Sequence, residues 1–263
     1  MDGRTRTGAV PPGVAGIPGR YGTASASRAA ALLGTTLGAV VGVVARLRRG
    51  KALHPQGLVL RGRLRRYGLT GADATGTWLD EAGDDDVVVR LSRGGGLPRR
   101  LPDVVGLAVR AGEVDLLLSS PVGTAPGLRH VPGPRRGHGR APYGSVLPFL
   151  GPRGPVLLLA EPAAARDLPA DRDALAAELA ARPLVLSLSW ASPRSRWRAF
   201  GTLEIMAEAP FAVDRSIRFQ PLRTPPGLRT YPWVAALRTP AYTASQARSA
   251  QPDGAAGPPS TTH

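Results

Sequence analysis

The chain is a succession of short apolar segments, each closed by glycine, proline or a polar break, and any fold it adopts must accommodate them. Gly57-Leu-Val-Leu-Arg-Gly-Arg-Leu64 places Leu58, Leu60 and Leu64 on one face of an extended strand. Asp86-Val-Val-Val-Arg-Leu-Ser92 is β-branched and runs into three glycines. Residues 104–110 and 114–119 flank Ala111-Gly112-Glu113, which reads as a hairpin turn. Further strands are expected at 155–160, 183–190 and 200–206. Many short strands at this spacing favour an antiparallel barrel or sandwich over a parallel α/β sheet. The fold class expected is α+β, mainly β.

Helical signals are few. Residues 171–182 carry Leu175 and Leu179 four apart, with Asp171 and Asp173 near the positive end of the helix. A last short helix is expected from Thr239, with Pro240 at its first helical position. Ala29 to Ala45 is uncharged and is followed by Arg46, Arg48, Arg49 and Lys51. This run is shorter than a membrane span and is diluted by Gly34, Gly38 and Gly42. It reads as a helix packed on the domain, with a membrane anchor or a cleaved signal as alternatives. The expected organisation is a disordered arm over 1–27, that helix over 28–50, a barrel domain over 51–250 and a disordered tail over 251–263.

Composition narrows the chemistry. The chain has no cysteine, which excludes disulfides, thiolate haem ligation, iron–sulfur clusters and Cys-based zinc sites. The formal net charge of +15 suits anionic partners such as nucleic acid or anionic lipid. Lys51 is the sole lysine, however, and the arginines are scattered without an aromatic-interleaved patch, so no specific nucleic-acid partner is expected. His130 and His138 stand in a Pro/Gly/Arg loop without carboxylates at metal-ligand spacing. Asp84-Asp-Asp86 reads as a solvated corner before a strand. Arg93-Gly-Gly-Gly96 lacks the residues that complete a phosphate loop.

Several residues carry more information together than singly. His54 lies in Lys51-Ala-Leu-His54-Pro-Gln-Gly57, Arg90 and Ser92 in Val87-Val-Val-Arg90-Leu-Ser92, and Tyr242 in Arg238-Thr-Pro-Ala-Tyr242. Taken singly, each has an ordinary explanation: a turn histidine, a surface arginine, a strand-end serine, a core tyrosine. In this order, with Pro102-Asp-Val-Val-Gly106-Leu-Ala108 between them and Gly201-Thr-Leu203 after, they resemble the haem catalase superfamily reduced to its barrel. The resemblance covers roughly residues 51–248 and is closest to short catalase-related proteins.

The resemblance implies an antiparallel β-barrel of haem-catalase type with a few flanking helices, haem b as cofactor, and activity on hydrogen peroxide or an organic hydroperoxide. His54 would be the distal base, oriented by Ser92. Arg90 and Lys51 would face the haem propionates. Tyr242, with Arg238 four residues before it, would be the phenolate ligand of the iron. Counting from Asp115, Ser120 takes the place of the family's distal asparagine, and a serine there would hold peroxide less well. The alternative is a barrel of this fold that binds haem or an apolar ligand without turnover. The expected partner is a peroxide, with a homo-oligomer as a further expectation. The expected location is the cytoplasm, with membrane association through Ala29 to Ala45 as the minority alternative.

Overall fold

A computed structural model of the chain describes residues 56–94, 97–98, 100–207, 217, 219–220 and 223–232, all within the unit Val40–His263. Lys51, His54, Arg238 and Tyr242 lie outside the described residues, as do the arms, the 28–50 segment and the helix expected from Thr239.

The expected long strands form. They are β1 (Gln56–Arg66), β2 (Gly83–Arg93), β3 (Val105–Ala111), β4 (Val114–Ser119), β7 (Gly154–Pro162), β8 (Leu184–Ala191) and β9 (Arg198–Met206). Three shorter strands were not apparent from sequence: β5 (Tyr143–Gly144), β6 (Phe149–Gly151) and β10 (Arg229–Thr230). Pairing runs β1-β2-β3-β4-β5-β7-β8-β9 and returns to β1, every pair antiparallel, so these strands form a closed barrel. Closure leaves the ring without a free edge. β6 and β10 extend from β7 as a side ribbon. Gly112 turns the β3–β4 hairpin at φ 54°, a conformation that suits glycine.

Alternation along the strands fills the interior. Leu58, Leu60 and Leu64 of β1 join Val87, Val89 and Leu91 of β2, Val105, Leu107 and Val109 of β3, and Leu116 and Leu118 of β4 in one buried cluster. Leu186, Leu188, Leu203 and Ile205 close it from the far wall. Helix α1 (Arg172–Ala181) adds Leu175 and Leu179 to the same core. Asp171 caps it by accepting from the N–H groups of Asp173 and Ala174.

Asp84, Asp85 and Asp86 are not a corner before a strand. They lie within β2, opposite Arg65, Leu64 and Arg63 of β1. Arg63 Nε lies 3.3 Å from Asp84 and 3.8 Å from Asp86. Cross-strand pairing with arginine accounts for acidic residues at strand positions. No described helix is long and apolar enough to cross a membrane.

Candidate functional site: the outward face of β1 to β5

Residues that alternate with the core cluster point out of the barrel. Register aligns them into rows across the strands. One row runs Gly57–Ser92–Gly106–Ser119–Gly144 through β1, β2, β3, β4 and β5. The next runs Val59–Arg90–Ala108–Leu117. The first row crosses four interstrand spacings, about 19 Å. It carries no side chain larger than a serine, so backbone forms most of its surface. Ser92, Gly106 and Gly144 are buried, while Gly57 and Ser119 are half-buried.

Arg90 borders this shelf. Its guanidinium lies against Gly57, where a Cβ would stand only 2.7 Å from Cζ and Nε. Glycine at 57 therefore makes room for the arginine, and the chain reaches Gly57 directly from the His54-Pro-Gln segment. The Ser92 hydroxyl sits 3.5 Å from the Gly106 carbonyl, a long contact. The expected pair Arg90 and Ser92 thus share the outward face of β2, two residues apart.

Ser120 does something else. It follows the last residue of β4 and is fully buried. Its hydroxyl donates to the Gly133 carbonyl at 2.6 Å and accepts from the Val105 N–H at 3.1 Å. Its backbone N–H donates to the Val105 carbonyl, and its carbonyl accepts from the Gly133 N–H. These bonds tie β3, the end of β4 and the following loop together. Ser119, one residue earlier, is the serine that shares the row with Ser92. The sequence count from Asp115 reached Ser120 because it did not fix which residues of β4 face outward.

Asp115 anchors the other end of this face. Buried, it takes a two-pronged hydrogen bond from Arg110, 2.7 Å at each oxygen, and a third from the Gln220 N–H at 2.6 Å. The carboxylate beside it pushes the Arg110 pKa further up. Arg110 also lies over the Phe219 ring.

The two loop histidines have structural partners. His130 Nδ1 lies 2.8 Å from the Val146 carbonyl oxygen. His138 Nδ1 lies 2.9 Å from the Tyr143 hydroxyl, which donates to the His138 carbonyl at 3.2 Å. Burial pushes the Tyr143 phenol far above its ordinary value, so it stays neutral. No cluster of metal-ligating side chains occurs among the described residues. Sequence reasoning missed the Tyr143–His138 pair and the small-residue row. The alternation of β1 to β4 signalled the row, but reading it needed the register.

No protein-family model matches the sequence, and no curated protein matches it. The fold does match solved structures. Catalase A from Saccharomyces cerevisiae superposes with a TM-score of 0.55 at 12% identity, over 78% of this chain and 62% of that one. A bacterial catalase gives 0.56 at 13% identity, over 89% of this chain and 63% of that one. The chain thus spans less than two thirds of the length of these catalases. Closed antiparallel topology and superposition together give this chain a catalase-like β-barrel fold.

Proposed function

We propose that the chain binds a b-type haem on the outward face of β1 to β5 and acts on hydrogen peroxide or an organic hydroperoxide. The observation that carries this reading is the row Gly57–Ser92–Gly106–Ser119–Gly144 with Arg90 at its border. A macrocycle needs a wall free of protruding side chains, and a row limited to glycine and serine offers one. Its propionates need a cation, and a guanidinium suits a carboxylate. The residues present therefore fit the group.

When bound, the group would supply a redox-active iron. His54, three residues before Gly57 in the sequence, would take a proton from the peroxide and return it to the departing oxygen. Ser92 holds the imidazole in orientation. Ser119 replaces Ser120 as the second donor to peroxide, because the Ser120 hydroxyl is already bonded to backbone on both sides. Arg90 and Lys51 pair with the propionates. Tyr242, with Arg238 four residues before it, would hold the iron.

Binding without turnover is the second reading. It is favoured by the modest donors of the shelf, two hydroxyls rather than an amide, since orientation of the reactant supplies much of a barrier reduction. Peroxide consumption by haem-reconstituted protein separates the two. The enzyme reading expects a rate well above that of free haem and a loss of about two orders of magnitude in His54→Ala. A wild-type rate equal to that of free haem would leave binding alone.

A further inference from the structure

Two connections at one rim of the barrel carry no exposed acidic side chain. β2 ends, β3 begins and β4 ends at one rim, where residues 94–104 and 120–142 form the connections. Residues 93–102 and 120–140 contain no acidic residue. β7 ends and β8 begins at the same rim, and their connection, 163–183, carries Asp167, Asp171, Asp173 and Glu178, with Arg140 Nε 2.7 Å from Asp167.

Exposed aliphatic side chains stand on the 94–104 and 120–142 connections. Leu97, Leu101, Val122 and Leu128 are 48, 50, 44 and 49% exposed. Among the described residues, Val185 near the start of β8 and Tyr67 at the opposite rim are the other large apolar side chains of comparable exposure. A single-residue exposure means little, but a cluster marks an interaction surface.

Hydrogen bonds knit this rim into one surface. Arg93 donates to the carbonyls of Leu101 and Arg136. Arg135 donates to the carbonyls of Pro121 and Val122, and its backbone pairs with Asp103. Leu128 packs beside Gly123. Arg93, Arg100, Arg135 and Arg136 have no carboxylate partner among the described residues, so these two connections keep their positive charge. Asp103, in the first of them, is buried. β1 also starts at this rim, and the chain leading into it carries Arg46, Arg48, Arg49 and Lys51.

We propose that this rim docks on an anionic lipid bilayer, with the four aliphatic side chains entering the interface and the arginines meeting lipid phosphates. Arginine-flanked aliphatic side chains are what an interfacial anchor requires. Nucleic acid would use the arginines and gain nothing from exposed leucines.

The test is co-sedimentation of the full chain with vesicles of phosphatidylcholine, with and without phosphatidylglycerol. Binding should require phosphatidylglycerol and fall as salt rises. The triple variant Leu97→Ser, Leu101→Ser, Leu128→Ser should bind about tenfold or more weakly, since each apolar side chain contributes to interfacial burial. Tyr67→Ser, at the opposite rim, should bind as the wild type does. Because the replaced side chains are exposed, the unfolding midpoint should hold, which separates lost docking from lost fold. No binding by the wild type, or equal binding by the triple variant, overturns the proposal. Salt-sensitive retention on random duplex DNA without lipid binding would assign the rim to nucleic acid instead.

Discussion

Ser119 and Ser120 are adjacent and identical in kind, yet the structure gives them opposite consequences. Ser120→Ala removes the acceptor of the Val105 N–H and the donor to the Gly133 carbonyl, both inside a fully buried junction. A buried polar group left without a partner costs roughly 1–3 kcal/mol, so two of them give about 2–6 kcal/mol. For a domain of this size that corresponds to a fall in Tm of about 4–24 °C. Ser119→Ala, on the half-buried outward face, should change stability by less than about 0.5 kcal/mol. Denaturant unfolding followed by tryptophan fluorescence gives both numbers. In haem-reconstituted protein the order should reverse. Ser119→Asn should raise oxygen evolution from hydrogen peroxide at equal haem occupancy, and Ser120→Ala should leave it near wild type below its unfolding transition. Equal stability losses in the two alanine variants would refute the assignment of faces at the end of β4.

Three further outcomes follow from particular contacts. Asp115→Ala leaves the Arg110 guanidinium without its two-pronged partner and frees the Gln220 N–H, which should cost about 2–4 kcal/mol; a double-mutant cycle with Arg110→Ala measures the coupling, and additivity would contradict it. Gly201→Ala would drive a methyl group into the Arg65 carbonyl across the β1–β9 pairing, which should destabilise by about 1–3 kcal/mol in the same unfolding assay. For Asp80, burial alone would raise the pKa, but the Thr75 N–H and hydroxyl and the Gly76 N–H outweigh it and hold the carboxylate below its ordinary range. Its folded pKa is depressed, so its contribution is present above the unfolded value and is lost as pH falls through the folded one. Asp80→Asn should therefore flatten the acid limb of the stability–pH curve, and an unchanged limb would contradict the role.

The long strands were legible because their alternation is strict: Leu58, Leu60 and Leu64 in β1, and Val87, Val89 and Leu91 in β2, announce a face each. The helix was legible because Asp171 caps it and Leu175 and Leu179 share a side. The two-residue β5 and β10 are too short to carry a period, and tertiary pairing alone defines them. Asp84 to Asp86 read as a corner because acids are poor strand formers, and the arginines opposite them in β1 reversed that preference. Of the candidate site, Arg90 and Ser92 were visible as a pair two apart on one strand. The shelf they border was not, because Gly57, Gly106, Ser119 and Gly144 become a row only through cross-strand register.

The central claim is that this row is the wall of a haem site, and titration of haem into the purified chain tests it most directly. The wild-type chain should develop a saturable Soret band with a high-spin ferric spectrum. Gly106→Leu, which puts a bulky side chain in the middle of the row, should weaken haem binding at least tenfold while the far-ultraviolet spectrum still reports the barrel. Contradiction would be a wild-type chain that gives only the spectrum of free haem, or a Gly106→Leu variant that binds haem as tightly as the wild type does.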